Sequence, residues 1–471
     1  MRHFDLCVIG SGPGGQKAAV QAAKLGRRVC VLEKEAIGGV AVNTGTIPSK
    51  ALREVILHVG GYASVAPRVK EFEKAGREAT LQALWGAYEI VIRNEITIVA
   101  QQLARNDIEL VSGVGRFRDP HTVEVVNGDS AETVTADFFV IAVGSVPARP
   151  SDIPFDGRTI ITSDDIFRLG YLPHSMIIVG GGVIGTEYAS MLSALGVRMI
   201  LVEGRPRLLD FVDAEIIEAL QYHLRQNGLT LRMGEHVVGI TAPPAPAGAH
   251  SHTGRVAEVT LESGKTLHAD CLMYCVGRQG ATAELDLAAV GLTADARGRL
   301  TVNESFQTAV PHVYAVGDVI GFPSLASTSM EQGRVAACSM FGASCDRMAN
   351  LLPYGIYSIP EISVVGPTEE QLTRDGVPYE AGVAQYREIA RGQLLGDSIG
   401  MLKLLIRPDT HAVLGVHAIG TGATELIHIG QAVIAFGGTA EYFVDAVFNY
   451  PTLAECYRVA ALNALNKLLN Q

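Results

Sequence analysis

The sequence predicts an α/β chain with two doubly wound parallel sheets and an α+β C-terminal domain. Three observations predict it. The first is a β-turn-α-β pattern at the start of the chain. The apolar run Phe4–Ile9 leads into a glycine-rich turn at residues 10–15 (Gly-Ser-Gly-Pro-Gly-Gly). An alanine-rich helix over Lys17–Leu25 and a strand over Arg28–Leu32 follow, ending in Glu33. The second is a recurrence of that pattern. Met176–Val179 leads into Gly-Gly-Gly-Val-Ile-Gly at 180–185, then a helix over Thr186–Leu195 and a strand over Val197–Val202 that ends in Glu203. The third is a change of pattern from about Pro353. Strand-like segments Ile362–Val365, Gly400–Ile406 and Ala412–Ala418 precede helices over Glu425–Ala435 and Leu453–Leu468.

Each glycine turn has a physical reading. Gly10 and Gly180 permit the tight turn at the strand end. Gly12 and Gly182 let a pyrophosphate approach the backbone, and Gly15 and Gly185 let helix and strand pack closely. The helix N-terminus then offers unpaired N–H groups and a positive dipole end to the phosphates. Glu33 and Glu203 end the second strands, where a carboxylate accepts bonds from a ribose 2′-hydroxyl. The context of strand, turn, helix and acid makes each turn a Rossmann-like dinucleotide fingerprint. The two copies lie too far apart for a solenoid repeat and imply two related domains. Arg205 and Arg207 follow Glu203 directly. They read either as solvated loop arginines or as a grip on a 2′-phosphate.

Composition excludes other classes. With 471 residues the chain is long enough for about three domains. A net charge of −11 without a basic run argues against nucleic acid and against an anionic membrane surface. No long uncharged apolar stretch suggests a spanning helix. Seven cysteines form no dense framework, which fits a reducing cytoplasm, and the N-terminus shows no signal-peptide pattern. Cys7, Cys30, Cys271 and Cys275 lie in apolar strand-like runs and read as core. The thirteen histidines make no ligand-spaced cluster, so no metal is expected. Residues 241–254 read as a long hairpin loop, with His250 and His252 solvated in it.

Lys50 and Glu187 are out of place. Glu187 falls inside the apolar stripe of its helix, where a carboxylate needs a partner. Lys50 follows Ser49, a good N-cap residue, which puts a cation in a first helical turn against the macrodipole. Two such residues are plausible partners for each other.

Residues 38–50 (Gly-Gly-Val-Ala-Val-Asn-Thr-Gly-Thr-Ile-Pro-Ser-Lys) resemble a segment of the FAD/NAD(P) pyridine nucleotide-disulfide oxidoreductases. In that family the positions of Ala41 and Thr46 are cysteines, and their disulfide stacks on one flavin face. The match at Phe448–Glu455 points the same way: a family His stands where Tyr450 is, while its partner acid is kept as Glu455. Thiols and base are missing together, which implies a coherent change of reaction. Gly45–Arg53, Tyr314–Gly321, Pro323–Ser327, Phe448–Thr452 and Tyr457–Asn463 resemble the family's transhydrogenating members along the whole chain. Two positions depart from those members: they keep a single cysteine at Ala41, and they lack an acid at Glu203.

The resemblance implies a domain order and a set of sites. The domains are 1–148 (FAD), 149–276 (NAD(P)), 277–345 (return to the FAD domain) and 346–471 (dimerisation). FAD contacts fall on Gly10, Gly12, Gly15, Glu33, Lys50, Gly144, Gly317 and Asp318, the last bonding the ribityl chain. NAD(P) contacts fall on Gly180, Gly182, Gly185, Glu203, Arg205 and Gly277. Lys50 and Glu187 pair beside the flavin and the nicotinamide, and Tyr450 and Glu455 reach the flavin site of a second subunit. The expected activity is FAD-dependent, ping-pong hydride transfer between NAD(H) and NADP(H), without a dithiol relay, in a cytoplasmic homodimer. Two alternatives stand beside it: an NAD(P)H:quinone or dye reductase, and a redox-inactive NAD(P)-binding sensor.

Overall fold

A computed structural model describes residues 2–59, 77–344 and 351–469. The chain divides into two compact units. One comprises Met1–Leu52, Trp85–Arg149 and Gly277–Ala349; the other comprises Arg53–Leu84, Pro150–Val276 and Asn350–Gln471. The boundary expected at 345/346 falls outside the described residues.

In the first unit, strands Glu109–Ser112, Val29–Glu33, Arg2–Ile9 and Ser130–Ile141 lie side by side and parallel. Val313–Ala315 extends the sheet in parallel along the end of Ser130–Ile141. Val114–Asp119 and Thr122–Asn127 continue it antiparallel from the beginning of that long strand. Residues 6–9, 29–32 and 139–141 are apolar runs buried throughout, as parallel strands covered on both faces require. Cys7 and Cys30 are register partners, both fully buried, so they are core residues. Helices Pro13–Lys24 and Ala326–Met340 pack closely on one face. A Cβ on Gly333 would collide with the Gly14 carbonyl oxygen.

The second unit holds a parallel sheet in the order Thr230–Met233, Arg198–Glu203, Ser175–Val179, Cys271–Tyr274, Ile160–Thr162. Val237–Thr241 and Ala257–Leu261 form the expected hairpin around the proline-rich loop. An antiparallel sheet follows, ordered Tyr354–Ile356, Ile362–Val365, Val413–Ile419, Met401–Ile406, Glu380–Gln385. Helices Ala423–Ala435 and Glu455–Leu469 pack on it around Phe443, Tyr457 and Leu404.

Four readings need correction. Cys275 lies beyond the strand Cys271–Tyr274 and is half-exposed, because the strand ends at Tyr274. His252 is not simply solvated: its Nδ1 lies 2.9 Å from the buried Asp270 carboxylate, and its ring stacks on Tyr171. His250 stacks in turn on His174, so the exposed loop is laid down by ring contacts. Ser49 does not cap a helix, because Thr46–Val59 already starts three residues earlier and Lys50 sits in its second turn. Pro48 is tolerated there, since the first turn needs no N–H from it.

Candidate functional site: two glycine cradles and their strand-end acids

The first cradle is built on Arg2–Ile9. Gly10 adopts φ +105°, a conformation that favours glycine. A Cβ on Gly15 would fall on the Gly10 carbonyl oxygen, so only glycine allows this helix to start so close to the strand. Gly12 is different: a Cβ there meets nothing nearer than the Ala142 carbonyl oxygen at 4.0 Å. The helix Pro13–Lys24 has no side-chain cap at Gly12. An open approach to uncapped N–H groups fits a diphosphate. Glu33 turns back onto the cradle. Its Oε2 accepts from Ser11 N (3.0 Å) and Ser11 Oγ (2.6 Å), and its Oε1 accepts from Glu35 N (3.1 Å).

Two further elements complete this unit. Gly144 and Gly317 take φ of +69° and +80°. The Gly317 N–H donates to buried Gln332 Oε1 at 2.7 Å. Asp318 Oδ2 accepts from Ser145 Oγ at 2.7 Å, and that hydroxyl accepts from Arg278 Nε at 2.8 Å. A guanidinium therefore holds a hydroxyl that orients the carboxylate. Ala41 lies in the short helix Gly39–Asn43, and exposed Thr46 opens the next helix, so no sulfur stands at either position. Half-buried Lys50 places its Nζ 3.1 Å from Ser49 Oγ.

The second cradle repeats the first. Gly180 has φ +104°, and a Cβ on Gly185 would fall on the Gly180 carbonyl oxygen. Gly182 has open space in its Cβ direction, and the helix Val183–Ala194 has no side-chain cap. Gly277, with φ +84°, follows the strand Cys271–Tyr274 and belongs to the first unit. Glu203 is the counterpart of Glu33, with one addition. Gly181 N donates to its Oε2 (2.6 Å) and Arg205 N to its Oε1 (2.9 Å). Arg205 also closes on the carboxylate with Nε to Oε1 and Nη2 to Oε2, both 3.0 Å. Burial pushes the Glu203 carboxyl up, but the Arg205 side chain and the two N–H donors outweigh it and hold the group below the usual range.

Glu187 is 4 % exposed, as its place in the apolar stripe predicts, and its Oε1 accepts from Tyr357 N at 2.8 Å. In the C-terminal segment Tyr450 is 75 % exposed. Glu455 opens the last helix, and among the described residues its buried Oε2 has no hydrogen-bond partner. Among the described residues no helix is long and apolar enough to cross a membrane.

Residues 4–333 match the family model described as pyridine nucleotide-disulphide oxidoreductase, and residues 352–461 match the dimerisation domain of the same family. The chain belongs to this family. The soluble pyridine nucleotide transhydrogenase of Mycobacterium tuberculosis is 51 % identical to it, covering 100 % of this chain and 99 % of that protein. A protein of the same name from Photobacterium profundum is 45 % identical, covering 99 % and 98 %. Among solved structures, the Cu(II) complex of the HOCl-induced flavoprotein disulfide reductase RclA from Escherichia coli superposes with a TM-score of 0.85 at 25 % identity, covering 98 % of this chain and 99 % of that one. LpdA of Mycobacterium tuberculosis gives the same TM-score at 24 % identity and the same coverage, and shares the fold.

As a pyridine nucleotide-disulphide oxidoreductase, the chain keeps the glycines and strand-end acids that its sequence announced. Ser11, Ser145 and Gln332 were not singled out. Ser11 had a signal, since it is the variable residue inside the first fingerprint. The Ser145–Asp318 and Gln332–Gly317 contacts bridge 173 and 15 residues of sequence, so no local pattern announces them.

Proposed function

We propose that this chain is a FAD-dependent pyridine nucleotide transhydrogenase that moves hydride between NAD(H) and NADP(H). The observation that carries this reading is the combination of two intact glycine cradles with Ala41 and Thr46 at the thiol positions. Full-length relatives at up to 51 % identity bear the transhydrogenase name, which supports it. FAD, when bound, supplies a two-electron carrier that takes hydride from one nicotinamide and returns it to another. The chain's residues do the rest. Gly10, Gly12, Gly15 and Glu33 bind the flavin nucleotide, and Gly144, Gly317 and Asp318 hold its other end. Ser145 and Arg278 keep the Asp318 carboxylate oriented.

The second cradle, with Gly180, Gly182, Gly185, Glu203, Arg205 and Gly277, binds both coenzymes in turn, so one leaves before the next enters. The Lys50 ammonium stabilises negative charge that develops on hydride arrival, and we assign Glu187 as its acidic partner. Lacking a thiol pair, the enzyme has no dithiol for Tyr450 and Glu455 to serve, and these two residues are assigned to shaping the site in a homodimer formed through residues 352–461. We assign the enzyme to the cytoplasm, a reading supported by the six cysteines among the described residues, all of them free.

An anaerobic titration tests this. NADPH should bleach the flavin band near about 450 nm, and NAD⁺ should restore it. Bleaching by NADH alone, with recovery only on adding a quinone or dye, would replace the transhydrogenase by a reductase.

A further inference from the structure

A strand-end acid disfavours a 2′-phosphate, yet the proposed reaction needs NADP(H) at this cradle. We propose that Asp210 is a built-in competitor for the 2′-phosphate, and that its exchange on Arg205 is what lets one site accept both coenzymes. The inference rests on the transhydrogenase reading.

The argument starts at Glu203. A carboxylate offers about four acceptor positions. Gly181 N, Arg205 N, Arg205 Nε and Arg205 Nη2 occupy them. The charge of Glu203, whose side chain is only 9 % exposed, is therefore matched by the bidentate Arg205 guanidinium. The 2′-hydroxyl of NAD can donate to Glu203 only by displacing an Arg205 bond. A 2′-phosphate does not meet a bare carboxylate here; it meets an Arg205–Glu203 pair of zero net charge.

The third nitrogen of Arg205 faces outward. Its Nη1 donates to Asp210 Oδ1 at 2.7 Å, with Arg205 40 % and Asp210 52 % exposed. This is the guanidinium edge that a phosphate would take. Asp210 reaches it because the chain doubles back: fully buried Leu209 adopts φ +44°, and its N–H points to the Gly181 carbonyl at 3.4 Å. A branched apolar residue in the left-handed region is held there by its surroundings and marks a constrained turn. The turn sets a carboxylate, a weak stand-in for phosphate, on the one exchangeable edge of Arg205. An ion pair this exposed is readily exchanged.

Arg207 has another role. It donates to Glu370 Oε1 at 3.2 Å, and the same oxygen accepts from Ala214 N. Arg207 is thereby tied to the helix after Thr368 and holds the loop, leaving Arg205 as the phosphate reader.

The test is calorimetric titration of the purified holoenzyme with 2′,5′-ADP and with 5′-AMP, which differ only in the 2′-phosphate. Asp210→Asn should tighten 2′,5′-ADP about two- to fivefold and leave 5′-AMP unchanged. Arg205→Ala should weaken 2′,5′-ADP about tenfold or more. Arg207→Ala should leave the ratio of the two affinities unchanged. Hydride transfer should follow, with a lower KM for NADPH in Asp210→Asn and the same KM for NADH. An unchanged ratio in Asp210→Asn, or a loss in Arg207→Ala equal to that in Arg205→Ala, overturns the inference while the transhydrogenase reading stands. A wild-type enzyme that binds 2′,5′-ADP no better than 5′-AMP and takes no hydride from NADPH overturns both.

Discussion

Lys403 stands directly opposite His417 in the antiparallel pair Met401–Ile406 and Val413–Ile419, and the two side chains are 1 % and 0 % exposed. Asp213, also 1 % exposed, faces both. Its Oδ1 lies 3.0 Å from Lys403 Nζ. Glu215 is a second partner of the ammonium at 3.0 Å, and Glu369 a third. The acids Asp213, Glu215 and Glu369 could by themselves hold a cation, but Lys403 already occupies the centre of the group. Asp213 also caps the helix Ala214–Gln226, which follows the loop carrying Arg205 and Arg207.

Lys403→Met removes the cation and leaves a buried carboxylate behind. Burial alone would lower the Lys403 pKa, but its three acidic neighbours outweigh that and raise it, so the native group is charged. Breaking such a pair costs about 3–5 kcal/mol. Urea denaturation should show a loss of that order. Adding Asp213→Asn to Lys403→Met should recover part of it. A variant as stable as the wild type would mean that solvent reaches this cluster.

His417 predicts a pH dependence. Its Nε2 lies 2.9 Å from the Pro367 carbonyl oxygen, and burial pushes the imidazole below its usual value against the opposing pull of Asp213. The folded state therefore binds this proton less readily than the unfolded state. The associated stability is complete above the unfolded value, near about 6.5, and is lost as pH falls below it toward the folded value. Asp213 adds a lower window: its folded carboxyl is depressed, so its contribution disappears only below about pH 4. Urea midpoints should drop between pH 7.5 and 5.5 in the wild type, and His417→Asn should flatten that drop. Equal slopes in both proteins would rule out His417 as its source.

None of this cluster was legible in the sequence, although both cradles were. A glycine turn between a strand and a helix is a local pattern, and its acid follows some twenty residues later on the next strand. Lys403 and Asp213 are 190 residues apart, and nothing near either announces the other. Lys403 looks like an isolated charge in an apolar strand. Local rules also misled, most plainly at the helix start before Lys50. Ser49 is a good N-cap by type, but the helix had already begun at Thr46. The burial of Glu187 was legible because it rested on helical periodicity, and its carboxylate accepts from the Tyr357 N–H, whereas its pairing with Lys50 is a proposal. Asp210 was invisible for a different reason: the turn that returns it to Arg205 needs Leu209 at positive φ, a conformation no propensity assigns to leucine.

Lys50→Met tests the proposed electrostatic role. The side chain is half-buried on the helix Thr46–Val59, beside Ser49 Oγ. Methionine keeps most of the length and removes the charge. Flavin content should stay at the wild-type level, since the cradle glycines and Glu33 are untouched. Stopped-flow bleaching by NADPH should slow about a hundredfold, the order seen when one preorganised charge-stabilising group is removed. Unchanged bleaching rates would deny Lys50 any part in the hydride step.

Gly12→Ala and Gly15→Ala separate cofactor binding from folding. A Cβ on Gly15 would fall on the Gly10 carbonyl oxygen, so that variant must push helix and strand apart and should lose stability as well as flavin. At Gly12 the backbone is extended, with φ −64° and ψ 176°, and a Cβ meets only Ala142 O at 4.0 Å. The folded chain has room for that methyl. A bound diphosphate does not, because its approach to the helix N-terminus runs over the same Cα. Gly12→Ala should therefore purify as a folded protein with a flavin-to-protein ratio well below that of the wild type. Its flavin-free melting temperature should match that of wild type stripped of flavin. A Gly12→Ala protein with full flavin content would move the diphosphate away from this turn, and with it the assignment of the first cradle.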